Sequence, residues 1–97
     1  MAIFTTRVEM HGATGEEYER LHELLASYGF NRTIEGVDDD GRRHTYALPT
    51  AEYNSASAET AATVRRRVQQ LAATIRKDPW VLVTEATNRS WNTKTIN

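Results

Sequence analysis

Cysteine is absent from this 97-residue chain, which excludes a disulfide framework and any thiolate metal cage. Proline occurs only twice, and the longest unbroken apolar run is Trp80-Val81-Leu82-Val83, far short of a membrane span. The opening Met-Ala-Ile-Phe-Thr-Thr-Arg lacks a basic region followed by an apolar stretch, so no signal peptide is expected. Gly-rich phosphate loop, nucleophile elbow and dinucleotide fingerprint are missing as well, and no cofactor is expected. His11, His22 and His44 have no i, i+4 histidine partner, and Asp38-Asp39-Asp40-Gly41 lacks the alternation and distal glutamate of a calcium loop, so no metal site is expected. These absences point to a cytoplasmic chain with no membrane partner.

What is present fits one small domain spanning residues 1–97, with residues 86–97 as a polar C-terminal tail. Hydrophobic residues are 39% and charged residues 26%, enough for a packed core and too apolar for a disordered segment. A compact chain of this length has an expected radius of gyration of roughly 12–13 Å. The net charge of −1 hides an asymmetry. Residues 1–41 carry nine acidic and three basic side chains, whereas residues 42–97 carry four acidic and nine basic ones. That total argues against a basic nucleic-acid binder but leaves room for a local basic face, or for two helices attracting each other.

Hydrophobic periodicity orders the chain. Residues 3–10 alternate, with Phe4, Thr6, Val8 and Met10 on one face and Thr5, Arg7 and Glu9 on the other, which predicts a half-buried strand. Thr14 with Glu17 forms a capping-box pattern, Tyr18, Leu21, Leu25 and Tyr28 line one helical face, and Gly29 supplies the stop. Phe30–Glu35 and Arg42–Leu48 read as strands around a turn at 36–41, and Pro49 ends the second of them because it cannot donate to a ladder. Residues 50–57 read as a polar connection. Val64, Val68, Leu71 and Ile75 predict a helix over 57–77, broken by Asp78-Pro79, and Trp80–Glu85 reads as the last strand.

Strand, helix, strand, strand, helix, strand is the α+β, ferredoxin-like βαββαβ order: a four-stranded antiparallel sheet with two helices on one face. Right-handed crossovers would put the first and third strands in the centre. The other sheet face is then open to water or covered by a partner, and a homodimer through it is expected.

Arg7 lies mid-strand on that face, where a charge requires water, an acidic partner or a phosphate. Metal-free RNA cleavage needs a base for the 2′-hydroxyl, an acid for the departing 5′-oxygen and a cation for the phosphorane. Histidine suits the first two roles and arginine the third, so Arg7, His44 and His11 are candidates. Tyr46, Tyr53 and Trp91 are candidates for stacking on single-stranded bases, with Asn54 and Arg89 as polar contacts.

Four stretches carry a family resemblance: Phe4-Thr-Thr-Arg-Val-Glu, Gly29-Phe-Asn-Arg-Thr-Ile, Leu48-Pro-Thr-Ala-Glu-Tyr-Asn and Val81-Leu-Val-Thr-Glu. Together they resemble GhoS-type antitoxins of type V toxin–antitoxin systems, which are ferredoxin-like and similar to Cas2 nucleases. The resemblance covers most of residues 3–91 and implies a homodimeric endoribonuclease that cleaves the single-stranded messenger RNA of a small membrane toxin. It brings Arg20 and Arg32 forward with Arg7 as phosphate contacts, and His22 or His44 as the proton-transfer group. Where the family's first helix reads aromatic-x-Arg-Leu-Arg, this chain reads Tyr18-Glu19-Arg20-Leu21-His22, and Glu9-Met10-His11 holds none of the metal-binding aspartate of the Cas2 nucleases. The same residue types also suit a non-catalytic dimeric interaction protein, such as an inhibitor encoded by a phage or mobile element, which grips a protein partner through the open sheet face or an edge strand.

Overall fold

A computed structural model describes residues 1–96. Its elements are β1 (Ala2–Glu9), α1 (Gly15–Ala26), β2 (Thr33–Val37), β3 (Arg43–Ala47), β4 (Glu52–Ser57), α2 (Ala61–Ala73) and β5 (Trp80–Ala86). The class is α+β with two helices, but the expected four-stranded ferredoxin-like sheet is not formed. One antiparallel sheet has three strands in the order β4-β1-β5, and β2 and β3 make a separate two-stranded sheet. The partner of β1 is therefore 52–57, read from sequence as a connection, and the 42–48 segment expected at the centre belongs to the hairpin.

The turn between β3 and β4 explains this division. Pro49 interrupts the hairpin strand, the Glu52 N–H donates to the Pro49 carbonyl at 3.1 Å, and Ala51 adopts φ +62°. The Ala51 carbonyl then accepts from the Val8 N–H at 3.1 Å, and Glu52 falls into register opposite Arg7.

Alternation in β1 buries Phe4, Thr6 and Val8 against the helices. Leu21 and Leu25 of α1 and Val64, Val68 and Ala72 of α2 complete the core with Met10, Phe30 and Tyr53. The capping box that starts α1 is present: the Glu17 N–H donates to Thr14 Oγ1 at 3.2 Å and the Thr14 N–H to Glu17 Oε1 at 2.9 Å. Helix α2 is shorter than the expected 57–77. Ser57 stays in β4, Thr60 accepts from the Thr63 N–H as the cap, and beyond the helix Arg76 turns aside to donate to the His11 carbonyl and pair with Glu17.

Two attachments hold the hairpin to the main sheet. Asn31 and Asn54 exchange backbone hydrogen bonds of 2.8 and 2.6 Å along the outer edge of β4. The tail then returns beside β3, where the Ala47 N–H donates to Lys94 and the Ile96 N–H to Thr45, both at 2.9 Å. This side module stretches the molecule to 44 Å along its long axis and raises the radius of gyration to 13.7 Å, above the compact-chain expectation.

Both helices cover one face, as expected, but the reverse face is not simply open. In register it presents three rows: Ala56-Ile3-Ala86, Asn54-Thr5-Thr84 and Glu52-Arg7-Leu82. The tail fastens onto the middle row through Arg89, while Arg7, Leu82 and Trp80 stay exposed.

Candidate nucleic-acid interface

The tail and the hairpin bring four of the expected RNA contacts together. Arg89 Nη1 donates to Asn54 Oδ1 at 2.8 Å and to Thr5 Oγ1 at 3.1 Å, which fixes where the tail crosses the sheet. Two residues on, Trp91 lies over β2 and meets Tyr46 edge-on, with ring centroids 5.8 Å apart. Only glycine allows this approach: a Cβ on Gly36 would stand 2.5 Å from the indole Cζ2 and 3.3 Å from the Tyr46 ring. A glycine inside a strand is a signal of close approach, whereas the sequence pattern places Gly36 in the turn.

Hollows lie on either side of this strap. One, of about 460 Å³, is bounded by Asp38, Asp39, Tyr46, Arg89 and Trp91, and the other, of about 480 Å³, by Thr5, Ile34, Leu48, Arg89 and Trp91. Arg89 and Trp91 wall both. Arg89 has no carboxylate within ion-pair reach among the described residues, so its charge is uncompensated and its remaining N–H groups can meet an outside acceptor. Thr93, on the same strap, carries a buried hydroxyl with no hydrogen-bond partner among the described residues. The rim at Asp38 and Asp39 is acidic. Asp38 is held below the usual carboxylate range, chiefly by the Arg42 N–H and then by its 2.7 Å hydrogen bond to His44 Nε2, so it stays an acceptor. Such a cleft offers two aromatic rings, a cation at one end and carboxylate acceptors at the other. It suits a base with its phosphate toward Arg89, and repels phosphate at the opposite rim.

The expected catalytic set is scattered. Arg7 stands on the exposed reverse face between Glu52 and Leu82. His44 is half-buried in β3 and tied to the hairpin turn through Asp38. His22 lies on the helix side, 8% exposed, where its Nδ1 shares a 2.7 Å hydrogen bond with the Tyr53 hydroxyl. Burial lowers the His22 pKa, and the Arg32 charge adds to the effect. Burial likewise pushes the Tyr53 hydroxyl well above its ordinary value. Tyr53 is fully buried in the core, so it cannot stack on a base, and its expected RNA role is corrected to a structural one. Arg20 and Arg32 are exposed, on α1 and just ahead of β2, and the Arg32 charge acts on the buried His22–Tyr53 pair. His11 packs its ring edge against Trp80 at 4.5 Å. Among the described residues no group of three or more metal-ligating side chains converges, and no helix is long and apolar enough to cross a membrane.

Residue type alone identified Tyr46, Asn54, Arg89 and Trp91, but not the partners Thr5, Asp38 and Thr93 that turn them into a cleft. Comparison of the chain with protein-family models, with curated proteins and with solved structures yields no match, so the geometry of the cleft carries the functional reading.

Proposed function

We propose that the chain is an antitoxin-like RNA-binding protein of the cytoplasm, acting as a homodimer and holding single-stranded RNA in the cleft between its tail strap and the β2–β3 hairpin. The observation that carries this reading is the convergence of Tyr46 from the hairpin with Arg89 and Trp91 from the tail on one half-buried recess, with Asn54 of β4 anchoring the Arg89 guanidinium. The resemblance to GhoS-type antitoxins adds the substrate class, a messenger RNA. The reading is of binding rather than cutting, because Arg7, His22 and His44 occupy the reverse face, the helix side and the hairpin, with no shared locus for a phosphodiester.

Anisotropy titrations of labelled single-stranded oligoribonucleotides, with EDTA present, test it. Trp91→Ala is expected to weaken binding by about 1–3 kcal/mol, the worth of one stacked base. Arg89→Ala is expected to flatten the salt dependence by about 0.7 in log–log slope, the share of one phosphate on a single strand. Binding indifferent to both changes overturns the cleft. RNA cleavage abolished by His22→Ala would restore the nuclease reading. An interaction protein is the second reading, favoured by the exposed Trp80 and Leu82; absence of RNA affinity moves the conclusion to it.

A further inference from the structure

Strand β5 ends the three-stranded sheet, and its outer edge has no strand beside it among the described residues. The opposite edge, at β4, is engaged by the Asn31–Asn54 backbone pair. The sheet is thus capped on one side only. Edge strands exposed in this way are normally blunted by lysine, proline or a bulge, since their free N–H and C=O groups recruit another strand. Within Trp80–Ala86 none of these is present, and Glu85 is the one charged residue. The large apolar side chains left exposed on the reverse face cluster at this edge: Trp80 at 65%, Leu82 at 64% and, one strand inward, Ile3 at 44%.

We propose that β5 pairs antiparallel with β5 of a second copy of this chain, about a two-fold axis through Val83, giving a continuous six-stranded sheet. The inference rests on the homodimer in the reading above and supplies its surface and register. Val83 is the midpoint of Trp80–Ala86, so this axis pairs the whole strand. It sets Leu82 opposite Thr84 and Trp80 opposite Ala86 of the second copy. Ala86 is the register partner of Ile3, so Trp80 of each copy lies along the row that holds the other copy's Ile3. Trp80 gains Ala86 beside it with Ile3 on the next strand of the same row, and the two Leu82 side chains lie diagonal to each other across the seam. An axis through Leu82 instead faces Trp80 with Thr84 and leaves Ile3 uncovered. Antiparallel two-fold pairing keeps both pairs of helices on the same side of the sheet, and Glu85 falls opposite Val81, at the end of the strand that follows Lys77. Because the contact uses the same edge of both copies, this pairing is isologous and closes at two.

The native chain has no cysteine, so an introduced thiol reports on its own position. Light scattering on the intact protein is expected to give twice the 11.0 kDa chain mass. Val83→Cys is expected to form a disulfide-linked dimer under mild oxidation, because directly opposed strand residues lie within disulfide reach. Leu82→Cys alone is expected to cross-link poorly. Leu82→Arg, at an exposed position that the fold does not need, is expected to raise the dimer dissociation constant by about tenfold or more while leaving RNA affinity per chain unchanged. A mass of one chain at every concentration overturns edge pairing, and a dimer that cross-links through Leu82 but not Val83 overturns the register. A monomer that binds RNA rejects this inference and spares the cleft, whereas a Val83-linked dimer without RNA affinity rejects the cleft and spares the inference.

Discussion

His22 and Tyr53 show how two polar side chains are accommodated in a largely apolar core. Each alone would leave a buried group unsatisfied; together they share one hydrogen bond of 2.7 Å. Because burial lowers the His22 pKa, the unfolded chain takes up this proton at a higher pH than the folded one. The contribution of neutral His22 to stability is complete above roughly pH 6.5, the ordinary histidine value, and is lost progressively as the pH falls below it. Urea unfolding followed between about pH 7 and pH 5 is expected to show stability declining by up to about 1.4 kcal/mol per pH unit from this group, and His22→Phe is expected to shallow that decline. A histidine on a helix face has the same residue-level signature whether it is a proton donor or a core member. Sequence reasoning gave His22 the first role through the family resemblance; its burial and its Tyr53 partner assign it the second. Tyr53 follows the same logic: an aromatic in a polar stretch, Glu52-Tyr53-Asn54-Ser55, reads as exposed until the helix layer covers it.

Legibility differs from element to element, and each difference has a physical cause. Helix α1 was readable because its capping box, apolar stripe and glycine stop are all local. The capping box is also where α1 is most sensitive: Thr14→Ala is expected to cost about 1 kcal/mol, measured as a lowered thermal midpoint, with Thr14→Ser restoring most of it. Strand β1 was readable because its alternation is clean. Strand β4 was not. Its core-facing positions are Tyr53 and Ser55, one large and one small, so hydrophobic patterning is weak, and its strand character comes from hydrogen bonding to β1 rather than from propensity. The aromatic, β-prone 42–48 segment was the stronger local candidate for the centre, and the turn at Pro49–Ala51 routes it elsewhere. Helix α2 was overextended at both ends because the apolar stripe continues to Ile75, whereas the helix ends are set by the Thr60 cap and by the pull of Arg76 toward α1.

At the scale of the whole molecule, the proposed RNA site depends on a side module attached to a small sheet. The strap that joins them is long-range in sequence, linking Arg89 to Thr5 and Trp91 to Gly36. No periodicity forecasts such contacts, so the candidate RNA residues could be named from sequence but not gathered into a site. The strap also makes cleft and fold separable. Gly36→Ala is expected to lift the indole off the hairpin at a cost of about 1–3 kcal/mol, the usual penalty of overpacking, while the main core stays intact. Tryptophan emission shifted to the red, with RNA affinity lowered and far-ultraviolet dichroism unchanged, is the expected combination.

The position of β1 between β4 and β5 has a consequence in time. The ribosome completes this strand first, yet its neighbour at residues 80–86 is made last of the elements. At about 5–20 residues per second, Phe4 and Val8 wait on the order of 4–15 s before the sheet can close around them. Over that interval one edge of β1 lacks its strand, and its buried row has only the earlier-made α1, β4 and α2 to pack against.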